Sequence, residues 1–357
     1  MPDPPTLPEA PAPLAAAPRP PAAVPALVDA FPDSRPFRLG GWLERNGFQP
    51  FWTALLVFVL AFLVFNLVGA LVIGLGVVAE VAGSGETPSV EAMQAMLTGR
   101  PALVLTSNTA GQIVGFALFA LLAARLSTRD VGPFLRLQRP ALGGVGLAVL
   151  GWVVLYPIVL FAGELNAQLP LPEWLRALEE SQTEMIEDLL TGGDLSTAFL
   201  LVAVALTPAV AEELIFRGYL HRQAERLRGS AFAIVTVGIL FGLYHLRLSQ
   251  ALPLSLLGVY LGFVVWATGS VWTGTVVHLL NNGLAVVATA YASANPDVID
   301  LEAVESASVP LPVVLLCAVA LAGVCRWILA RRRAVAPDDD AQPVAAVPPS
   351  LSTPLPA

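Results

Sequence analysis

Residues 197–220 read TAFLLVAVALTPAVAEELIFRGYL, and this stretch decides the fold. It is long enough to cross a bilayer, since a span needs roughly 20 residues at the helical rise. Yet its second half carries Glu212, Glu213 and Arg217. An ionisable side chain inside lipid costs roughly 3 kcal/mol or more unless it is paired or hydrated, so each needs a reason to be there. Glu213 and Arg217 stand at i and i+4 in the acid-first order, which lets Arg217 neutralise one carboxylate. Glu212 is then free on a neighbouring face.

The rest of the chain agrees with a membrane setting. Its 357 residues are 56% hydrophobic and 13% charged, with a mean hydropathy of +0.71, outside the range of soluble domains. Eight apolar stretches lie at about 52–79, 107–124, 141–163, 197–220, 230–246, 251–269, 271–290 and 309–330. The expected fold is all-α, a polytopic membrane helix bundle of about eight transmembrane helices with an intramembrane site. All 19 basic residues are Arg, a codon bias that suggests a bacterial genome and hence a bacterial cytoplasmic membrane. Sixteen of them fall in the N-terminal region, the connections after spans 2 and 4, and the C-terminal end. By the positive-inside rule those segments and both termini are cytoplasmic. No basic patch supports nucleic-acid binding. Cys317 and Cys325 share one apolar stretch and read as small hydrophobes.

Three domains are expected: a tail over 1–50, a transmembrane domain over 51–330 and a second tail over 331–357. Residues 1–32 hold 11 Pro and 9 Ala, and residues 334–357 hold 6 Pro beside the acidic run Asp338 to Asp340. Neither buries enough apolar surface to offset its ordering entropy, so both tails are expected to be disordered. No cleavable signal peptide is visible, and insertion is expected to use the first span. In the outer loop 164–197, Trp174, Leu175, Leu178, Met185, Ile186, Leu189 and Leu190 recur at helical spacing opposite Glu179, Glu180, Glu184, Glu187 and Asp188. That pattern predicts an interfacial helix.

The chain has three histidines. His245 and His278 lie in apolar spans, while His221 lies in an Arg-rich connection. Phe241 and His245, and likewise His278 and Asn282, are i and i+4 pairs that project from one helix face. Three helices thus bring Glu212, Glu213, His245, His278 and Asn282 toward one interior pocket. Such a set suits peptide hydrolysis, with a carboxylate activating water and His and Asn donors stabilising the oxyanion.

The segments Glu212-Glu213-Leu214-Ile215-Phe216-Arg217, Phe241-Gly242-Leu243-Tyr244-His245 and His278-Leu279-Leu280-Asn281-Asn282 resemble the motifs EExxxR, FxxxH and HxxxN. These mark the CAAX protease and bacteriocin-processing (CPBP, or Abi) family, and the resemblance covers about residues 195–290. It implies an intramembrane endopeptidase of the type II CAAX prenyl endopeptidase class acting on a membrane protein or peptide. Glu212 would activate water beside His245, and His278 and Asn282 would hold the oxyanion. Glu213, Arg217 and Phe241 would support them.

Both a metal-free and a metal-dependent protease are compatible with these residues. His245, His278 and Glu212 or Glu213 offer two imidazoles and one carboxylate, a set that fits zinc, although the HExxH spacing is absent. Two other functions compete. One is a non-catalytic bacteriocin-immunity or sequestering protein using the same polar site. The other is a proton-coupled transporter, against which stands the lack of an internal repeat. Simple counting also puts Glu212 roughly 10 Å nearer the cytoplasm than His245, a gap that tilt, a span 4 helix running past Gly218, or a short span 5 beginning deeper would each close.

Overall fold

The computed structural model describes residues 40–84, 99–191, 195–295 and 308–335, together with Ser89, Met93, Leu97 and Asp297. The tail at 1–32 lies outside the described residues, as does 334–357 apart from Ala334 and Val335, which end the last helix. Within the expected N-terminal tail, residues 42–45 form a helical turn. It is tied down where the Gly41 N–H donates to Ser127 O at 3.1 Å and Glu44 accepts from Arg226 at 2.7 Å.

Among the described residues the regular structure is helical, with no strand. Seven helices are long and apolar enough to cross a membrane. They begin with α1 (Pro50–Ser84), α2 (Pro101–Ser127) and α3 (Leu142–Ala167). The amphipathic α4 (Glu173–Thr191) follows. The next apolar element runs over Thr197–Tyr244, 48 residues. As one rod it would measure about 72 Å, more than twice the hydrocarbon thickness. It is broken at Arg228 (φ −149°) and Gly229 (φ 78°, ψ 178°), a conformation open to glycine because it has no Cβ. The break yields two limbs, α5 (197–228) and α6 (230–244). The eight expected stretches therefore map onto seven continuous helices, one of them folded in two. α7 (Ala251–Thr268), α8 (Val271–Ala294) and α9 (Leu311–Val335) complete the bundle.

The break also sets how Glu212 and the end of α6 stand relative to one another. Glu212 lies sixteen residues before Arg228 and Tyr244 sixteen residues after it. Two limbs of equal length from one turn bring these residues level. α5 continues past Gly218, which closes the gap that simple counting left.

The outward faces are apolar: Leu67 of α1 is 69% exposed and Val319 of α9 is 72% exposed. Rows of exposed Leu and Val at that density belong against lipid. Inside, Phe116, Phe216 and Phe241 are almost fully buried in one cluster, and Trp152, Leu261 and Trp266 anchor a second between α3 and α7. α6 and α7 cross backbone to backbone, since a Cβ on Gly258 would fall 2.5 Å from Gly238 O. Small residues at such a crossing let helices approach without a hydrophobic driving force. At the Arg-rich end, Glu225 is buried between Arg136, Arg222 and His221 and fixes the end of α5. His221, expected in a loop, is fully buried there.

Candidate active site

Three wide helical turns, in which each N–H reaches back five residues, border the site: Gln112–Leu118 in α2, and Leu201–Leu206 and Glu213–Leu220 in α5. Such turns shift side chains out of the 3.6-residue register and are frequent at functional sites.

Glu213 and Arg217 form the hub. Both are fully buried, and Arg217 Nη1 donates to Glu213 Oε1 at 2.8 Å. Arg217 Nη2 donates to Gly258 O on α7 at 3.0 Å, and the guanidinium lies 4.2 Å from the centre of the Phe241 ring. One cation thus joins α5, α6 and α7, with its charge met by a carboxylate, a carbonyl and a ring face. Gly274 of α8 packs directly on the Glu213 carboxylate, where any Cβ would collide with Oε2.

His278 on α8 is the next member. Its Nδ1 lies 3.3 Å from Glu213 Oε1. Paired with Arg217, that carboxylate accepts, so Nδ1 carries the proton and Nε2 is left for chemistry. Nε2 lies 4.0 Å from Glu212 Oε2. The other oxygen of Glu212, Oε1, accepts from Gln112 Nε2 at 3.1 Å and from the Tyr244 hydroxyl at 3.5 Å. Oε2 is buried with no hydrogen-bond partner among the described residues. The 4.0 Å spacing is one that a single water hydrogen-bonded to both Oε2 and Nε2, about 2.8 Å from each, would bridge. Glu212 is therefore held by one oxygen and presented by the other.

His245 follows the last residue of α6, and its Nδ1 is 2.8 Å from Phe241 O, four residues back. A carbonyl only accepts, so Nδ1 is protonated and Nε2 is the open nitrogen. Its ring lies 4.9 Å from that of Tyr244 and 5.0 Å from that of Phe241. His245 thus reaches Glu212 through Tyr244, and the imidazole directly beside Glu212 is that of His278. Phe241 stands edge-on to both imidazoles, 5.7 Å from His278. Asn282 lies one turn beyond His278, and its Nδ2 donates to Val204 O on α5 at 3.1 Å.

Two carboxylates and an imidazole from α5 and α8 are thus gathered in one buried aromatic setting, with the part-buried His245 and Asn282 beside it. Residues 194–284 match the family described as Type II CAAX prenyl endopeptidase Rce1-like. No curated protein and no solved structure matches the chain. The Rce1-like segment is about a quarter of the 357 residues and contains every expected site residue. With the seven apolar helices, it marks the chain as an integral membrane protein of protease type.

Two site residues escaped the sequence reading. Tyr244 is an unspecified position of the FxxxH pattern, and Gln112 lies outside the Rce1-like segment, on α2. Gln112 carried a faint signal as an uncharged polar side chain in an apolar span, where a donor needs a partner. Toward a metal, His278 and Glu212 present donors to one small volume. However, among the described residues no group of three or more His, Cys, Asp and Glu is arranged to hold an ion. The zinc set of His245, His278 and a glutamate does not fit here as a three-ligand centre among the described residues.

The amphipathic helix α4 packs against α8 and the turn that follows His245. Its apolar residue Trp174 is 70% exposed, as an interfacial helix requires. Glu179, expected on the polar face, is instead only 4% exposed. It accepts from the backbone N–H groups of Leu248 at 2.7 Å and Ser249 at 3.1 Å, in the turn that follows His245. Arg247 Nη2 donates to Thr183 Oγ1 at 2.6 Å. Burial alone would raise the Glu179 carboxyl, but bonds from the Ser249 side chain and backbone and from Leu248, with the charge of Arg247, hold it below its ordinary value of 4.5.

A carboxylate with a lowered folded pKa stabilises above its unfolded value and loses that contribution as pH falls through the folded one. Protection of the Leu248 and Ser249 amides, measured as exchange relative to the intrinsic rate at each pH, is therefore expected to be full above about pH 4.5 and to fall as pH drops below it. In Glu179→Ala exchange is expected to be on the order of tenfold faster at neutral pH. Equal exchange in the two proteins would show that Glu179 does not hold this turn.

Proposed function

We propose that the chain is an intramembrane endopeptidase that hydrolyses a peptide bond of a membrane-associated protein or peptide with a water activated by Glu212. The observation that carries this reading is the Glu212 Oε2 to His278 Nε2 spacing of 4.0 Å, which lets two proton-handling groups meet one water. Attack of that water on the scissile carbonyl carbon sends its proton to Glu212 Oε2, and the same proton then passes to the leaving amine. His278, when protonated at Nε2, donates to the developing oxyanion, and its imidazolium is stabilised through Nδ1 by Glu213. Arg217 holds Glu213 in place for that task through the 2.8 Å bond to Oε1. Gln112 and Tyr244 fix Oε1 of Glu212 so that Oε2 faces the substrate. His245 supports this arrangement through the Tyr244 ring.

The match to the CAAX-type family supports a protease. The Arg clusters at 125–139 and 217–228 support a topology with both termini cytoplasmic, in a bacterial inner membrane. The test is labelling of new N-termini after incubating membrane proteins in proteoliposomes with wild type or His278→Gln. New termini within or beside membrane spans are expected with wild type, and at least a hundredfold fewer with His278→Gln. Identical termini profiles with and without wild-type protein would favour a non-catalytic sequestering role.

A further inference from the structure

The turn Trp42–Arg45 is seated on the end of α2. The Gly41 N–H donates to Ser127 O, and any Cβ on Gly41 would collide with the Leu126 carbonyl, so the two backbones meet directly. The joint leaves a pocket of about 600 Å³ lined by Trp42, Arg45, Arg125, Leu126 and Arg129, a volume within the range of small-molecule sites. Gln112 stands thirteen residues earlier on α2, roughly 20 Å away at the helical rise, so this pocket is separate from the Glu212 site.

The charge of the pocket is one-sided. Glu44, the acid of the same turn, does not line it: its two oxygens accept from Arg226 at 2.7 and 3.0 Å. Arg45 Nη1 donates to Gly40 O at 2.6 Å. Among the described residues no carboxylate pairs with Arg45, Arg125 or Arg129. Three cations around one cavity repel, and an anion seated among them removes that cost. The planar N–H fork of a guanidinium matches the oxygens of a phosphate.

The surroundings point to a lipid as the source of that phosphate. Between Trp42 and Trp52 the chain exposes Trp42, Phe48, Phe51 and Trp52, aromatic rings of the kind that mark headgroup level. α2 also exposes Leu118, Leu122 and Leu126, each four residues after the last and so on one helix face that ends at the pocket. A cationic cup at headgroup level with a lipid-facing leucine stripe leading to it complements both ends of a phospholipid. A soluble phosphate would use only the cup. A headgroup with its own ammonium would bring a fourth cation to it, which favours a headgroup of net negative charge.

We propose that the pocket between the Trp42–Arg45 turn and the end of α2 binds an anionic phospholipid, with Arg45, Arg125 and Arg129 on its phosphate and the leucine stripe along an acyl chain.

The test titrates full-length protein in detergent with phosphatidylglycerol, phosphatidylcholine and inorganic phosphate, and reads the lipid-bound fraction by native mass spectrometry. Phosphatidylglycerol is expected to bind at least about tenfold more tightly than phosphatidylcholine. Arg125→Gln/Arg129→Gln should weaken phosphatidylglycerol binding roughly thirtyfold, and Arg45→Gln, on the turn instead of α2, about fivefold. Arg139→Gln/Arg331→Gln, two exposed arginines at the same end of the bundle, should leave it unchanged. All five side chains are exposed, so the lipid-free unfolding midpoints should match wild type. No preference between the two lipids, or an equal loss in both arginine pairs, overturns the site in favour of diffuse charge. Displacement of phosphatidylglycerol by an equal concentration of inorganic phosphate overturns the lipid as the ligand.

Discussion

Glu212→Gln is expected to lower the cleavage rate by about a thousandfold while leaving the fold intact. The substitution keeps size and shape, and a glutamine carbonyl at Oε1 still accepts from Gln112 and Tyr244. What is lost is a group able to take a proton from water at Oε2. The loss should fall on kcat, because Oε2 meets the water and not the body of the substrate. The unfolding midpoint serves as the control and should move by no more than a few degrees. A variant that folds as wild type and cleaves at more than a tenth of its rate removes Glu212 from the role of base.

The largest effect on stability is expected at Arg217. Arg217→Met keeps the bulk of the side chain but leaves the fully buried carboxylate of Glu213 without its cation, and Gly258 O without its donor. Breaking one partner of such a pair costs about 3–5 kcal/mol, because the remaining charge stays desolvated. The unfolding midpoint should therefore fall by roughly 10 °C. Neutralising the orphan tests the cause. Glu213→Gln combined with Arg217→Met should recover more than half of the loss, since an amide is far cheaper to bury than an unpaired carboxylate. Equal instability of the single and double variants would place the cost in lost packing.

How much of this was legible in the sequence depends on how local each interaction is. The Glu213 to Arg217 pair lies four residues apart in one helix, and the helical repeat alone places it. Phe241 and His245 are equally local, although the contact turned out to include the Phe241 carbonyl as well as its ring. The partner of Glu212 was less readable, because Gln112 lies a hundred residues away and no periodicity links the two. The choice of His278 over His245 beside Glu212 depends on where α5 and α6 turn, set by the positive φ of Gly229. The burial of Glu179 was hidden for a similar reason. An amphipathic pattern shows which face is polar but not that the N–H groups of a distant turn will cover it.

Hydrolysis in water enriched in heavy oxygen, with the products read by mass spectrometry, tests the activated water itself. Wild-type protein in a bilayer should release fragments whose new C-terminal carboxylate carries one heavy oxygen from solvent, at a bond within or at the edge of a membrane span. Folded wild-type protein that yields no such carboxylate from any membrane-bound substrate would contradict the assignment of Glu212 and His278 to an activated water.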